Sequence, residues 1–275
     1  MSLHEAADRM FQPTADELRP RTDAGTEVVA RDDLLLAIGP LAQQPWSSQV
    51  YWTRWAADQV EAGIDDVLAI FRTRRQAFVW LVTDKSTPTS LRERLIARDF
   101  ITELEGRILV ASLPILGLRV NRELRIEEAT DRSRMEDALR VEHPSWDAGR
   151  AGPSIEDRMR RLGADWHAAV GYLDGHAVGT ARWRVHSDLR AVELNGAETL
   201  PGYRRRGVYS SLVAYRTERA AKDGCTVAAI IADVRTSAPI LLRRGFEDVG
   251  RATFFLWPAS RFEPTGPRTT LPRAS

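Results

Sequence analysis

The chain has 275 residues, 43% hydrophobic and 28% charged, with a formal net charge of +1. That is an ordinary globular composition with room for one large or two modest domains. The balanced charge gives no electrostatic case for nucleic acid or an anionic membrane as partner. A single cysteine (Cys225), five scattered histidines and no apolar run of membrane-spanning length point to no disulfide, no metal and a cytoplasmic location.

Residues 1–25 are polar and proline-punctuated and read as a flexible extension. Leu34, Leu35, Leu36 and Ile38 suggest a helix stopped by Gly39-Pro40. A second helix is expected from about Tyr51 to Ala62, with Trp52, Trp55, Ala56 and Val60 at helical spacing. Phe78 to Val82 is a short apolar run with the look of a buried strand, and Pro88 opens a helix through Leu91, Leu95 and Ile96. Ile108 to Ala111 reads as a further strand. The unit of strand, helix, Phe and strand recurs near the end of the chain, where Phe246 matches Phe100, Leu241 matches Leu95 and Leu242 matches Ile96.

Residues 114–121 read as a linker. After them come a strand at Leu124 to Ile126, a charged helix carrying Met135, Ala138, Leu139 and Val141, a break at His143 to Trp146, and a helix over about Ser154 to Leu162. Three strands follow, His167 to Tyr172, Ala177 to His186 and Ala191 to Thr199, the first turn marked by Asp174-Gly175. The third leads through Pro201-Gly202-Tyr203 into Arg204-Arg205-Arg206-Gly207. An amphipathic helix then carries Leu212, Val213, Tyr215, Arg216, Arg219 and Ala220 and stops at Asp223-Gly224. A turn closed by glycine at a helix start aims free N–H groups at one point, and the arginines add charge, so this is a candidate anion site. The alternative is a solvated basic turn before a surface helix. Thr226 to Ala232 is apolar almost throughout, as a central strand would be.

Arg204-x-x-Gly207-x-Tyr209 resembles the pyrophosphate loop of the GNAT acyltransferases, with Tyr209 where the family usually has Gly or Ala. The element order over 123–258 and the closing Arg243-Arg244-Gly245-Phe246 are similar to that family too. The resemblance implies an α/β (α+β) GNAT fold, a mixed, mostly antiparallel sheet flanked by helices, here as a tandem. Expected divisions are a flexible extension (1–25), a degenerate, catalytically silent GNAT-like copy (26–118), an intact acetyltransferase domain (119–258) and a tail (259–275).

The resemblance also implies acetyl-CoA as acyl donor and an amine-bearing acceptor, joined in a ternary complex. It assigns donor binding to Glu198, Thr199, Leu200, Arg204, Arg205, Arg206, Gly207, Val208, Tyr209 and Ser210. Glu193, eleven residues before Arg204 where histone-type members of that family carry their catalytic Glu, is the preferred candidate base, and Glu198, beside the thioester position, is the other. Strand alternation separates them onto opposite faces unless a bulge intervenes. Many members protonate the leaving thiolate with a Tyr at the position held here by Leu241, which leaves Tyr209 or Tyr215, water or the amine product, or an impaired enzyme. Trp146, Trp166 and Trp183 are candidates to line an acceptor pocket or to pack the core. Two other readings stand beside the enzyme: a CoA-binding regulatory module without turnover, and a scaffold whose N-terminal half serves homodimerisation or partner binding.

Overall fold

Ser2 and Thr14 each open a helix with a capping box, accepting the N–H of the glutamate three residues on while that carboxylate reaches back to the cap. The helices are α1 (Leu3–Phe11) and α2 (Ala15–Leu18). They bury Ala6, Ala7, Met10, Phe11 and Leu18, which corrects the reading of residues 1–25 as a flexible extension. The apolar stripe there is short, and the polar residues around it dominate the composition. The structure, a computed structural model, describes residues 1–143, 154–163 and 165–262. The chain forms two compact units, one of Met1–Asp23 with Leu104–Thr253, the other of Ala24–Glu103 with the residues from Phe254 on.

The second unit holds β1 (Glu27–Arg31), β2 (Leu34–Ile38), β3 (Gln49–Thr53), α3 (Val60–Arg72), β4 (Phe78–Thr83) and α4 (Leu91–Ala97). β1, β2 and β3 form an antiparallel meander, and β4 runs parallel to β3. Two helices expected from sequence are therefore corrected. Leu34–Ile38 is a strand buried at every position, the case in which a short apolar run carries no periodicity to separate strand from helix. Trp52 lies on β3, Trp55 in the connection after it, and the helix begins only at Val60. The Trp55 indole lies against Gly63 of α3 and edge-on to Trp80 of β4, with ring centroids 5.9 Å apart. Ile64, Phe71, Phe78, Leu91, Leu95 and Phe100 complete this core.

The first unit continues from β5 (Ile101–Ser112) through β6 (Arg125–Glu128), α5 (Arg132–Glu142), α6 (Ile155–Arg161), β7 (Trp166–Leu173), β8 (His176–His186), β9 (Ala191–Thr199), α7 (Val208–Lys222), β10 (Val227–Asp233) and α8 (Ser237–Leu242) to the start of β11 (Glu247–Trp257). β6 to β9 are successively antiparallel. β10 runs parallel to β9 on one side and antiparallel to β5 on the other, over the seven pairs Val227↔Ser112 to Asp233↔Gly106. Its apolar sequence is explained by partners on both edges and helices over its faces. Helices α5 and α6 pack on one face, against Ala168, Val170 and Tyr172. Helix α7 packs on the other, through Val208 and Leu212 onto Val178 and Ala181.

The internal repeat has a geometric counterpart. Phe100 N–H donates to the Leu95 carbonyl (3.0 Å) and Phe246 N–H to the Leu241 carbonyl (3.2 Å), with left-handed Asp99 and Gly245 just before the two Phe residues. The compact units do not follow the boundary drawn at 118/119, however. β5 follows α4 in sequence, yet residues 104–112 belong with β10 and the C-terminal fold.

Candidate active site

The site is built where β9 leaves β10. Pairing between them runs only from Ala191↔Val227 to Glu193↔Ala229; from Leu194 on, among the described residues, β9 pairs with β8 alone. Two residues past Leu194 the strand is bulged. Ala197 pairs with Ala181 but Asn195 with Arg182, so Gly196 is the extra residue. Its φ of +29° lies in the region that L side chains rarely adopt, and the Arg182 guanidinium packs over it.

The bulge settles the question of faces. Glu193 pairs with Arg184 and Glu198 with Thr180. Those partners are four residues apart on β8, so both carboxylates stand on the α5 face. Their environments differ. Glu193 Oε2 lies 3.2 Å from His186 Nε2, with its side chain 21% exposed. Burial alone would raise its pKa, but His186, Arg184 and Asn195 outweigh it and hold the carboxyl below the usual range. Glu198 is the opposite case. Much of the residue meets solvent, yet desolvation of its carboxyl and the nearby Glu142 charge raise its pKa, against the pull of Arg204, Arg182 and His143.

Beyond β9, a 3-10 turn at Pro201–Tyr203 leads to Arg205 (φ +62°) and Gly207 (φ +81°). α1, α2, α5 and α6 start with side-chain caps. α7, like α3, α4 and α8, has no side-chain cap. It alone among these helices starts at a left-handed glycine, Gly207, behind a basic turn, and its first N–H groups keep their capacity to bind an anion. The loop is held from behind. Asn121 Nδ2 donates to the Arg206 carbonyl (2.9 Å) and Asn121 N–H to Ser211 Oγ (2.8 Å). A cleft of about 400 Å³ beside it is lined by Arg119, Arg122, Glu123, Arg205 and Arg206. Arg204, Arg205 and Arg206 are exposed, Val208 is buried, and Thr199, Leu200, Tyr209 and Ser210 are half-buried.

Among the described residues the Tyr209 hydroxyl is buried without a well-formed hydrogen bond. Burial raises its pKa, while the Arg216 cation and Ser237 pull the other way. Tyr215 donates to Glu128 Oε1 at 3.3 Å. Leu241 is core, 1% exposed. On the α5 face Glu142 joins Arg158 (2.8 Å) and Arg182 (3.2 Å), beside a small cavity that Trp166 also lines. Trp183 is fully buried, in the core beneath α7. Trp146 lies outside the described residues. Sequence reasoning missed Asn121, Glu142, Arg182 and Arg216. Only Arg216 carried a signal, standing between Leu212 and Ala220 in the apolar stripe of α7.

Residues 133–246 match the sequence profile of the acetyltransferase (GNAT) family. That part of the chain is a GNAT-family domain. The GNAT fold extends over more of the molecule. A GCN5-related N-acetyltransferase from Kribbella flavida superposes with a TM-score of 0.67 over 93% of this chain and 95% of its own, at 18% identity. One from Sphaerobacter thermophilus gives 0.59 over 94% and 90%, at 14% identity. A tandem GNAT protein from the clavulanic acid biosynthesis pathway gives 0.54 over 90% and 86%, also at 14%. No curated protein matches the chain. Among the described residues, no helix is long and apolar enough to cross a membrane, and no group of three or more His, Cys, Asp or Glu side chains could hold a metal ion.

Proposed function

We propose that this chain is an N-acyltransferase that moves an acetyl group from acetyl-CoA to the primary amine of an acceptor by direct attack. The observation that carries the reading is the open edge of bulged β9 running straight into the uncapped start of α7. A thioester can lie along such an edge, where strand N–H groups past the bulge meet its developing oxyanion. The pyrophosphate falls on the N–H groups around Arg204 to Ser210, with the arginines adding charge. Gly207 supports the fit through its left-handed φ of +81°, a conformation that a residue with a side chain rarely adopts.

Glu198 is the base in this reading. An incoming ammonium must lose a proton before it attacks, and a carboxylate with a raised pKa accepts one more readily than Glu193, which His186 holds ionised. Tyr209 gives its proton to the departing thiolate, in the role the family's Tyr has where this chain has Leu241. The acceptor enters from the α5 face, beside Trp166 and Glu142. The N-terminal repeat, β1 to α4, is a degenerate, silent GNAT-like copy, because Trp55 packs on Gly63 of α3 and on Trp80 of β4 and no Arg-x-x-Gly-x loop precedes α3.

Acetyl-CoA titration followed by calorimetry, and release of free CoA across a panel of amines, test the reading; absence of binding would end it. Burial of Leu241 favours one alternative, a CoA-binding regulatory protein without turnover. Binding without release of CoA on any amine would select it.

A further inference from the structure

Arg216 is the most anomalous side chain in the first unit. It lies on α7 and is 0% exposed, yet no carboxylate pairs with it among the described residues. Its Nε donates to the Leu212 carbonyl at 3.1 Å. Its Nη1 donates to the carbonyls of Arg182 (2.9 Å) and Asn195 (3.0 Å), and Nη2 has no partner among the described residues. Burial lowers its pKa to about 10, which still leaves it a cation at neutral pH. A buried charge without a counter-charge is costly, and an apolar chain of similar volume would serve packing as well or better. Stability therefore does not explain it.

Its two backbone partners do. Arg182 and Asn195 are the pair at the edge of the register shift, next to Gly196. Without the extra residue, β9 would keep simple alternation and Glu198 would turn to the α7 face. We propose that Arg216 is a positioning residue, a guanidinium pin from α7 that holds the β9 bulge and so fixes the face on which Glu198 stands. The pin works from below the sheet, while the Arg182 side chain covers Gly196 from above. The consequence for transfer rests on the reading given under Proposed function; the pinning itself does not.

Hydrogen exchange on Arg216→Met and Arg216→Lys separates the two. The Met variant is expected to fold with an undiminished Tm. Its amide exchange should be at least tenfold faster across residues 194–198, with the rest of the sheet unchanged. Turnover should fall about 10- to 100-fold, and Lys, which can still reach one carbonyl, should recover part of it. Should the Met variant not fold, the Lys variant carries the same measurement, with smaller acceleration confined to 194–198. Unchanged exchange there in a folded variant overturns the proposal, and so does acceleration spread evenly over the unit. In a wild type that turns over, unaltered turnover in a folded Met variant overturns the claim that the pin places Glu198 for transfer. Failure of the wild type to bind acetyl-CoA would defeat the transferase reading and leave the exchange result intact.

Discussion

At the scale of single residues, two carboxylates five positions apart are pushed in opposite directions because their neighbours differ. Glu198→Gln keeps shape and hydrogen-bonding reach but cannot take a proton, so kcat should fall about 10²- to 10⁴-fold with acetyl-CoA affinity nearly unchanged. A loss of only a few-fold would move the role away from Glu198. Its raised pKa also places the acid limb of the activity profile above the ordinary glutamate value of about 4.3. Activity is lost as pH falls through that limb, and the Gln variant should lack it. Glu193 has the opposite sign. Its depressed pKa contributes stability that is present above the ordinary value and lost as pH falls through the folded one. Acid denaturation of Glu193→Gln, followed by circular dichroism, should accordingly be less steep below about pH 4.3 than that of the wild type. At the loop, Gly207→Asp places a negative side chain at the anion site, and calorimetry should show acetyl-CoA binding abolished.

At the scale of elements, legibility in sequence followed periodicity. The elements from β6 to α8 carry strand alternation, Asp-Gly and Pro-Gly stops or helical spacing, and they lie where the sequence places them. β2 and β3 do not, because five consecutive buried residues in β2 give no period and the tryptophans around β3 mimic a helical stripe. The bulge at Gly196 was foreseeable only as a condition, since register depends on Arg182 and Arg216 from other elements. Helices α1 and α2 were hidden by polar composition, and their burial makes a stability claim. Phe11, 6% exposed, packs in the first unit, so Phe11→Ala should cost about 3–5 kcal/mol in a denaturant titration. β5 makes a stronger one. A chain cut to residues 119–258 lacks the antiparallel partner of β10 along seven register pairs. It should fail to give a cooperative unfolding transition, whereas a chain retaining residues 104–118 and 1–23 keeps these elements of the unit.

At the scale of the whole molecule, the same sequence of meander, helix, parallel strand and helix occurs twice, but the chemistry can be placed only once. β1 to β3, α3, β4 and α4 repeat the connectivity of β7 to β9, α7, β10 and α8, with β4 parallel to β3 as β10 is to β9. The copies part where β9 and β3 lead into their helices. After β9 come a bulge, a basic turn and an uncapped glycine; after β3 comes Trp55, 7% exposed and packed on Gly63. On the proposed reading, that indole takes the place a pantetheine arm would need beside α3. One equivalent of acetyl-CoA should therefore bind per chain. Hydrogen exchange should show protection on binding across residues 194–210, with none across residues 49–64. Enlarging the space with Trp55→Ala should lower stability without adding a second binding event, because no anion-binding turn precedes α3. Two equivalents bound, or protection centred on the start of α3, would show that the N-terminal copy retains a donor site.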